Sequence, residues 1–204
     1  MTFALLPAAG ASRRMGRPKL SLPLGDTTVL GQVVRTLRQA GIEHVIVVAN
    51  VATAPEVSLI AEASGAEVCR LYADTPDMRA TVEEGLRWLE TRFHPQPDDD
   101  WLLVPADHPA LDAVVVRQLC VARATHPNCS VVVPTFEGRR GHPTLISWKH
   151  VEGIRAHPAG QGLNRYLRLH QGETLELPVT SADVLCDLDT PEDYERLRRR
   201  WGGL

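Results

Sequence analysis

A chain of 204 residues suits one large α/β domain better than two, and its 44% hydrophobic content supplies enough apolar surface for a continuous core. Charged residues make up 23% and balance to a formal charge of -3, so the cationic excess expected of a nucleic-acid binder is missing. The four cysteines, Cys69, Cys120, Cys129 and Cys186, form no CxxC pair, which argues against a zinc finger or a disulfide framework.

Short apolar runs predict buried strands at Phe3 to Leu6, His44 to Val48, Glu67 to Leu71, Trp101 to Val104 and Ser130 to Val133. Helical spacing fills the gaps, over Val29 to Gln39, Glu56 to Ala63, Met78 to Arg92 and Ala113 to Ala124. Met78, Val82, Leu86 and Leu89 make a core stripe on the third of these helices. Such alternation implies an α/β fold with a mostly parallel sheet covered by helices on both faces. Loops fall at His94 to Asp100 and at Phe136 to Pro143.

The last third is less regular. It predicts an extended segment at Thr144 to Ile146, a helix near Leu163 to His170, and strands near Thr174 to Leu177 and Val184 to Cys186. A helix from Pro191 to Arg200 closes the chain, with the Thr190 hydroxyl as its cap and a proline in its first position. The runs Asp98 to Asp100 and Arg198 to Arg200 read as a solvated loop and a solvated helix face. Trp148 and Trp201 read as exposed apolar residues that either seal a dimer or cover the core. Phe3 to Ala9 is too short for a signal-peptide core and no stretch reaches the length of a membrane span, so the cytosol is the expected location.

Ligands of open parallel sheets sit at the carboxyl ends of the strands, which draws attention to the loop after the first strand, AAGASRRMGRPK, residues 8–19. Gly10 and Gly16 let backbone amides approach an anion, Ser12 adds a hydroxyl, and Arg13, Arg14 and Lys19 add positive charge. Neither GK[ST] nor GxGxxG is present, which sets aside the P-loop and the dinucleotide fingerprint. A basic turn near the terminus is the plain alternative.

At this loop LPAAGASRRMGRPKL resembles the LxAAGxSxRMGxxKL motif of the MobA-like nucleotidyltransferases, and the double alanine resembles their molybdenum cofactor cytidylyltransferase branch. The resemblance implies a three-layer α/β/α Rossmann-like nucleotidyltransferase fold. It also implies nucleotide contacts from Ala8, Ala9, Gly10, Ser12, Arg14 and Lys19, with Arg13 on a variable position. Pro7 departs from the family's usual residue and removes a backbone donor. A further segment, DMRATVEEGL from Asp77 to Leu86, resembles GMxxSLxxGL and would set Thr81 near the nucleotide, although Asp77 replaces glycine and Thr81 replaces serine.

Magnesium is held by a few carboxylates with water and substrate phosphates, so aspartates at strand ends are the candidates. Asp107 in PADHP resembles the family's GDQP motif, and Asp187 in CDLDTPEDY resembles DIDTPED. Asp187 is preferred to Asp189, for which helix capping is as reasonable as ligation. Ala106 stands where relatives carry glycine, and His108 where they carry glutamine or methionine.

On the acceptor side, RGHPTLI resembles a GxPVL element, in which Gly141 would permit close backbone approach and His142 could donate to a phosphate or pterin. AGQGLNRYL resembles a GDxGAR segment with Gln161 in place of aspartate. The resemblance implies a magnesium-dependent transfer of a nucleoside monophosphate from CTP or another NTP. The acceptor is a phosphorylated small molecule, with molybdopterin favoured, and neither nucleic acid nor membrane is a partner. Arg14, Lys19 and Asp107 are the expected catalytic residues. Two alternatives stand beside this: a same-fold transferase with a different acceptor, and a non-catalytic nucleotide sensor or chaperone.

Overall fold

The computed structural model describes residues 1–10, 18–51 and 55–201. In chain order the first half runs β1 (Thr2–Pro7), β2 (Pro23–Leu24), β3 (Thr27–Thr28), α1 (Val29–Gln39), β4 (His44–Asn50), α2 (Pro55–Ala63), β5 (Glu67–Leu71) and α3 (Met78–Phe93). The second half runs β6 (Asp100–Leu103), α4 (Ala113–Thr125), β7 (Val131–Phe136), β8 (Arg139–Arg140), β9 (Thr144–Ser147), α5 (Val151–Ala156), α6 (Leu163–Leu169), β10 (Thr174–Pro178) and α7 (Pro191–Trp201).

The main sheet has the order β10-β7-β9-β6-β1-β4-β5, with β8 added to β7, while β2 and β3 form a separate hairpin. β1 pairs in parallel with β4 and β6, β4 with β5, and β7 with β10. β9 runs antiparallel between β6 and β7. The expected α/β architecture is therefore present, with one reversed strand in the middle of the sheet.

Side-chain alternation along the strands sorts the core into two layers. Phe3, Leu5, Ile46, Val48, Trp101 and Leu103 pack with apolar residues of α3, α5 and α6. Ala4, Leu6, Val45, Val47, Leu102 and Val104 pack with those of α1, α2, α4 and α7. Gly85 lets α3 lie close to the sheet: a Cβ there would come within 2.5 Å of Leu5 Cδ1 and 2.7 Å of Val48 Cγ2.

Helix starts follow local chemistry. The Thr28 side chain accepts from the Gly31 N–H, Asp77 from Ala80, and Asp112 from Val114. At α7 the caps are reciprocal, since Thr190 Oγ1 accepts from the Asp193 N–H while Asp193 Oδ2 accepts from the Thr190 N–H.

Three expectations change. Val184 to Cys186 is not a strand, because Ala182–Leu185 coils into a 3-10 turn capped by Ser181. The Val184 carbonyl accepts from His142 N–H at 2.8 Å, outside any ladder, and β10 already occupies the sheet edge beside β7. Met78 leaves the core stripe, being 51% exposed in the first turn of α3. Trp148 is buried in the core and Trp201 packs against it over Gly25, so both cover the core rather than standing exposed. No helix among the described residues is long and apolar enough to cross a membrane.

Candidate active site

β1 and β6 are neighbouring parallel strands, so the segments that follow them open at the same carboxyl edge of the sheet. Lys19 begins the short 3-10 turn Lys19–Ser21, and its Nζ is ion-paired with Asp107, which lies just beyond β6. The same Nζ donates to the Leu188 carbonyl at 3.0 Å and to Asp189 Oδ1 at 3.3 Å. Leu188 N–H in turn donates to the Asp107 carbonyl at 3.1 Å, which fastens the tail segment to the end of β6. Burial works against the Lys19 charge, but hydrogen bonds and charge from Asp107 and then Asp189 outweigh it and hold the ammonium pKa above its ordinary value.

A second pair lies beside the first. His108 is fully buried and its Nδ1 is 3.2 Å from Asp187 Oδ1, while the Asp187 side chain is 49% exposed. The hydrogen bond from His108 holds the Asp187 carboxyl below the usual range, against the opposing effect of burial. The His142 ring meets His108 edge-on, with centroids 6.4 Å apart, and burial pushes the His142 pKa down despite the nearby Asp187 and Asp107. Gly141 donates its N–H to the Pro134 carbonyl, and a Cβ on it would sit 2.4 Å from the Val184 carbonyl oxygen. The room that glycine opens here is filled by Val184.

The remaining expected residues divide. Ala8 is buried and donates its N–H to the Val48 carbonyl, Ala9 is half-buried, and Gly10 is exposed with open space where a Cβ would stand. Ser12 and Arg14, with the variable Arg13, lie outside the described residues. Thr81 is buried, and its hydroxyl is engaged with Thr75 Oγ1 at 2.6 Å and the Asp77 carbonyl at 3.2 Å. Among the described residues no hydrogen bond joins Thr81 to the Lys19 cluster.

Asp189 is not the helix cap, since Thr190 and Asp193 close that end of α7, and its carboxylate faces Lys19 instead. Arg79 carries no motif signal, yet its buried guanidinium donates to the carbonyls of Ile154, His157, Pro158 and Gln161 and to Glu83. It ties the loop before α6 to the first turn of α3. Its place on the buried face, three and seven residues before Val82 and Leu86, was the available clue.

Asp107, Asp187 and Asp189 offer hard oxygen donors, the kind that suit magnesium. Among the described residues no group of three or more His, Cys, Asp or Glu side chains is set to hold a metal alone. Magnesium carried on substrate phosphates needs only one or two such carboxylates, so the donor set fits it.

A lysine and carboxylates gathered at the carboxyl edge of a mostly parallel α/β sheet occupy the ligand position of the nucleotide-binding α/β class. Residues 4–175 match the MobA-like NTP transferase domain, and the chain belongs to that family. It is 28% identical to the purine catabolism protein PucB of Bacillus subtilis (strain 168), over 94% of this chain and 93% of the relative. Identity to the molybdenum cofactor cytidylyltransferase of Escherichia coli (strain K12) is 22%, over 97% and 95%. Among solved structures, Rv0371c from Mycobacterium tuberculosis H37Rv superposes with a TM-score of 0.78 at 28% identity, covering 97% of both chains. A manganese complex of Rv0371c superposes at 0.71 and 25% identity, over 96% of both chains.

Proposed function

We propose that this protein transfers CMP from CTP to a phosphorylated small molecule, molybdopterin, and releases pyrophosphate in a magnesium-dependent reaction in the cytosol. The observation that carries the proposal is the convergence of Lys19 with Asp107 and Asp189, although the three lie far apart in sequence. An acceptor phosphate oxygen attacks the α-phosphorus, the bond to pyrophosphate breaks, and no protein nucleophile is required. The chain's task is to align the reactants and neutralise charge.

Lys19 leaves its carboxylates for the triphosphate and steadies the departing pyrophosphate, and Arg14 assists. Asp107 and Asp187 would hold magnesium, which when bound supplies positive charge to the phosphates. The metal reading is supported by the exposed half of Asp187 and by the manganese complex of a 25% identical relative. Gly141 and His142 border the acceptor side, and Ala8, Ala9, Gly10, Ser12 and Thr81 the nucleotide side. The cytosolic location is supported by four unpaired cysteines.

The similarity to a purine catabolism protein favours a second reading, in which the same chemistry serves another acceptor. Pyrophosphate release measured with each of the four NTPs and magnesium, with and without molybdopterin, tests both. Release with CTP and molybdopterin together is the expected result. Release that fails with molybdopterin but appears when other phosphorylated small molecules are supplied points to another acceptor, and nucleotide binding without release for any acceptor offered points to a sensor.

A further inference from the structure

Asp107 and Asp187 are held in different ways. Asp107 follows directly on a central strand, whereas Asp187 follows the 3-10 turn Ala182–Leu185, has no ladder to fix it and is half exposed. An unheld carboxylate in such a segment samples several rotamers, and choosing one costs free energy each time a ligand binds. The side chain that contacts it is His108, which is fully buried, adjoins Asp107 in sequence and is braced edge-on by His142. Its surroundings are pinned from both sides by the Leu188 to Asp107 and His142 to Val184 backbone hydrogen bonds.

The geometry also selects a tautomer. An unprotonated Nδ1 would set a lone pair against the Asp187 carboxylate at 3.2 Å, so the proton belongs on Nδ1. Nε2 then points into the interior, where it meets no partner among the described residues. The imidazole therefore has one polar contact to make, and it makes it to Asp187.

We propose that His108 is a positioning residue: its Nδ1–H fixes one oxygen of Asp187 so that the other faces the divalent-metal and polyphosphate position. This rests on the reading of Asp187 as a metal ligand. It is the carboxylate counterpart of the outer-shell partners that orient ligating side chains, whose loss commonly costs 10–100-fold in affinity.

The test is manganese binding to the full-length protein in the presence of an αβ-methylene analogue of CTP, followed by electron paramagnetic resonance. His108→Leu should weaken manganese binding by about 10–100-fold, while His108→Asn, whose amide can donate from nearly the Nδ1 position, should restore most of it. A purely structural role predicts that the two variants bind alike, and that outcome overturns the proposal. Wild-type affinity in His108→Leu, with affinity lost in Asp187→Asn, overturns it and leaves Asp187 a ligand. Wild-type affinity in Asp187→Asn removes the ligand reading itself and the inference with it. Should His108→Leu not fold, ¹⁵N imidazole spectra of the wild-type protein decide: an Nδ1–H pattern for His108 that shifts in Asp187→Asn is expected, and an Nε2–H pattern refutes the proposal.

Discussion

The carboxyl and amino edges of the sheet each carry a histidine-bearing polar cluster, and the two are finished to different degrees. At the amino edge Ser130 Oγ donates to Glu173 and faces His150 Nε2 at 2.7 Å, while the Tyr166 hydroxyl lies 3.0 Å from His150 Nδ1. Lys149 closes the chain on Glu173, and Ser130 and His150 are almost wholly buried. With the imidazole proton on Nε2, each of these donors meets an acceptor. At the carboxyl edge Asp187 and Asp189 stay about half exposed, so their carboxylates reach the surface. A closed network of this kind ties elements together, whereas an open one has bonding capacity left for a ligand.

Lys19→Met or Asp107→Ala should give the largest effect, a loss of at least about 100-fold in turnover with little change in melting temperature. Pyrophosphate release and a thermal melt measure the two quantities, and retention of most activity would remove these residues from the chemistry. His150→Leu should do the reverse. It strands Ser130 and Tyr166 and should cost about 2–4 kcal/mol in urea unfolding, with kcat of the folded fraction unchanged.

The amino-edge cluster should also set the acid sensitivity of the fold. Burial pushes His150 down to about 4, from an ordinary 6.5, so the unfolded chain binds the proton more readily than the folded one. The stability tied to neutral His150 is complete above pH 6.5 and is lost as pH falls from there towards 4, by about 3 kcal/mol at most. Glu173, held at about 2 by hydrogen bonds from Lys149 and Ser130, adds a further loss as pH falls from its ordinary 4.5 towards 2. Urea titrations at successive pH values should show both losses, and the first should vanish in His150→Gln. The smallest effect belongs to Gly85→Ala, where the added methyl meets Leu5 and Val48 and should cost about 1–2 kcal/mol without touching either cluster.

Apolar periodicity made β1, β4, β5, β6 and β7 and the four helices between them legible, because each buries a regular face. The 184–186 run was misread because three apolar residues cannot distinguish a strand from a turn whose carbonyl is used elsewhere. Lys19 and Asp107 were singled out by the family resemblance together with their places after strands, while the β1–β6 adjacency that makes them meet is carried by no local pattern. Asp189 was ambiguous because an aspartate before Thr-Pro fits a cap equally well, and only the carboxylate of Asp193 resolves that contest. Arg79 and the Ser130, His150, Tyr166 and Glu173 network stayed hidden, since their partners lie tens of residues away and follow no period.

Among the described residues Lys19 bonds to partners 88, 169 and 170 positions downstream, which has a consequence for synthesis on the ribosome. Lys19 is synthesised well before its acidic counterparts, Asp107 following 88 positions later and Asp189 170 positions later. A nascent chain that has not yet been extended to Leu188 and Asp189 can carry most of the sheet and still be unable to form the complete charge cluster, so the site is assembled after the sheet that bears it.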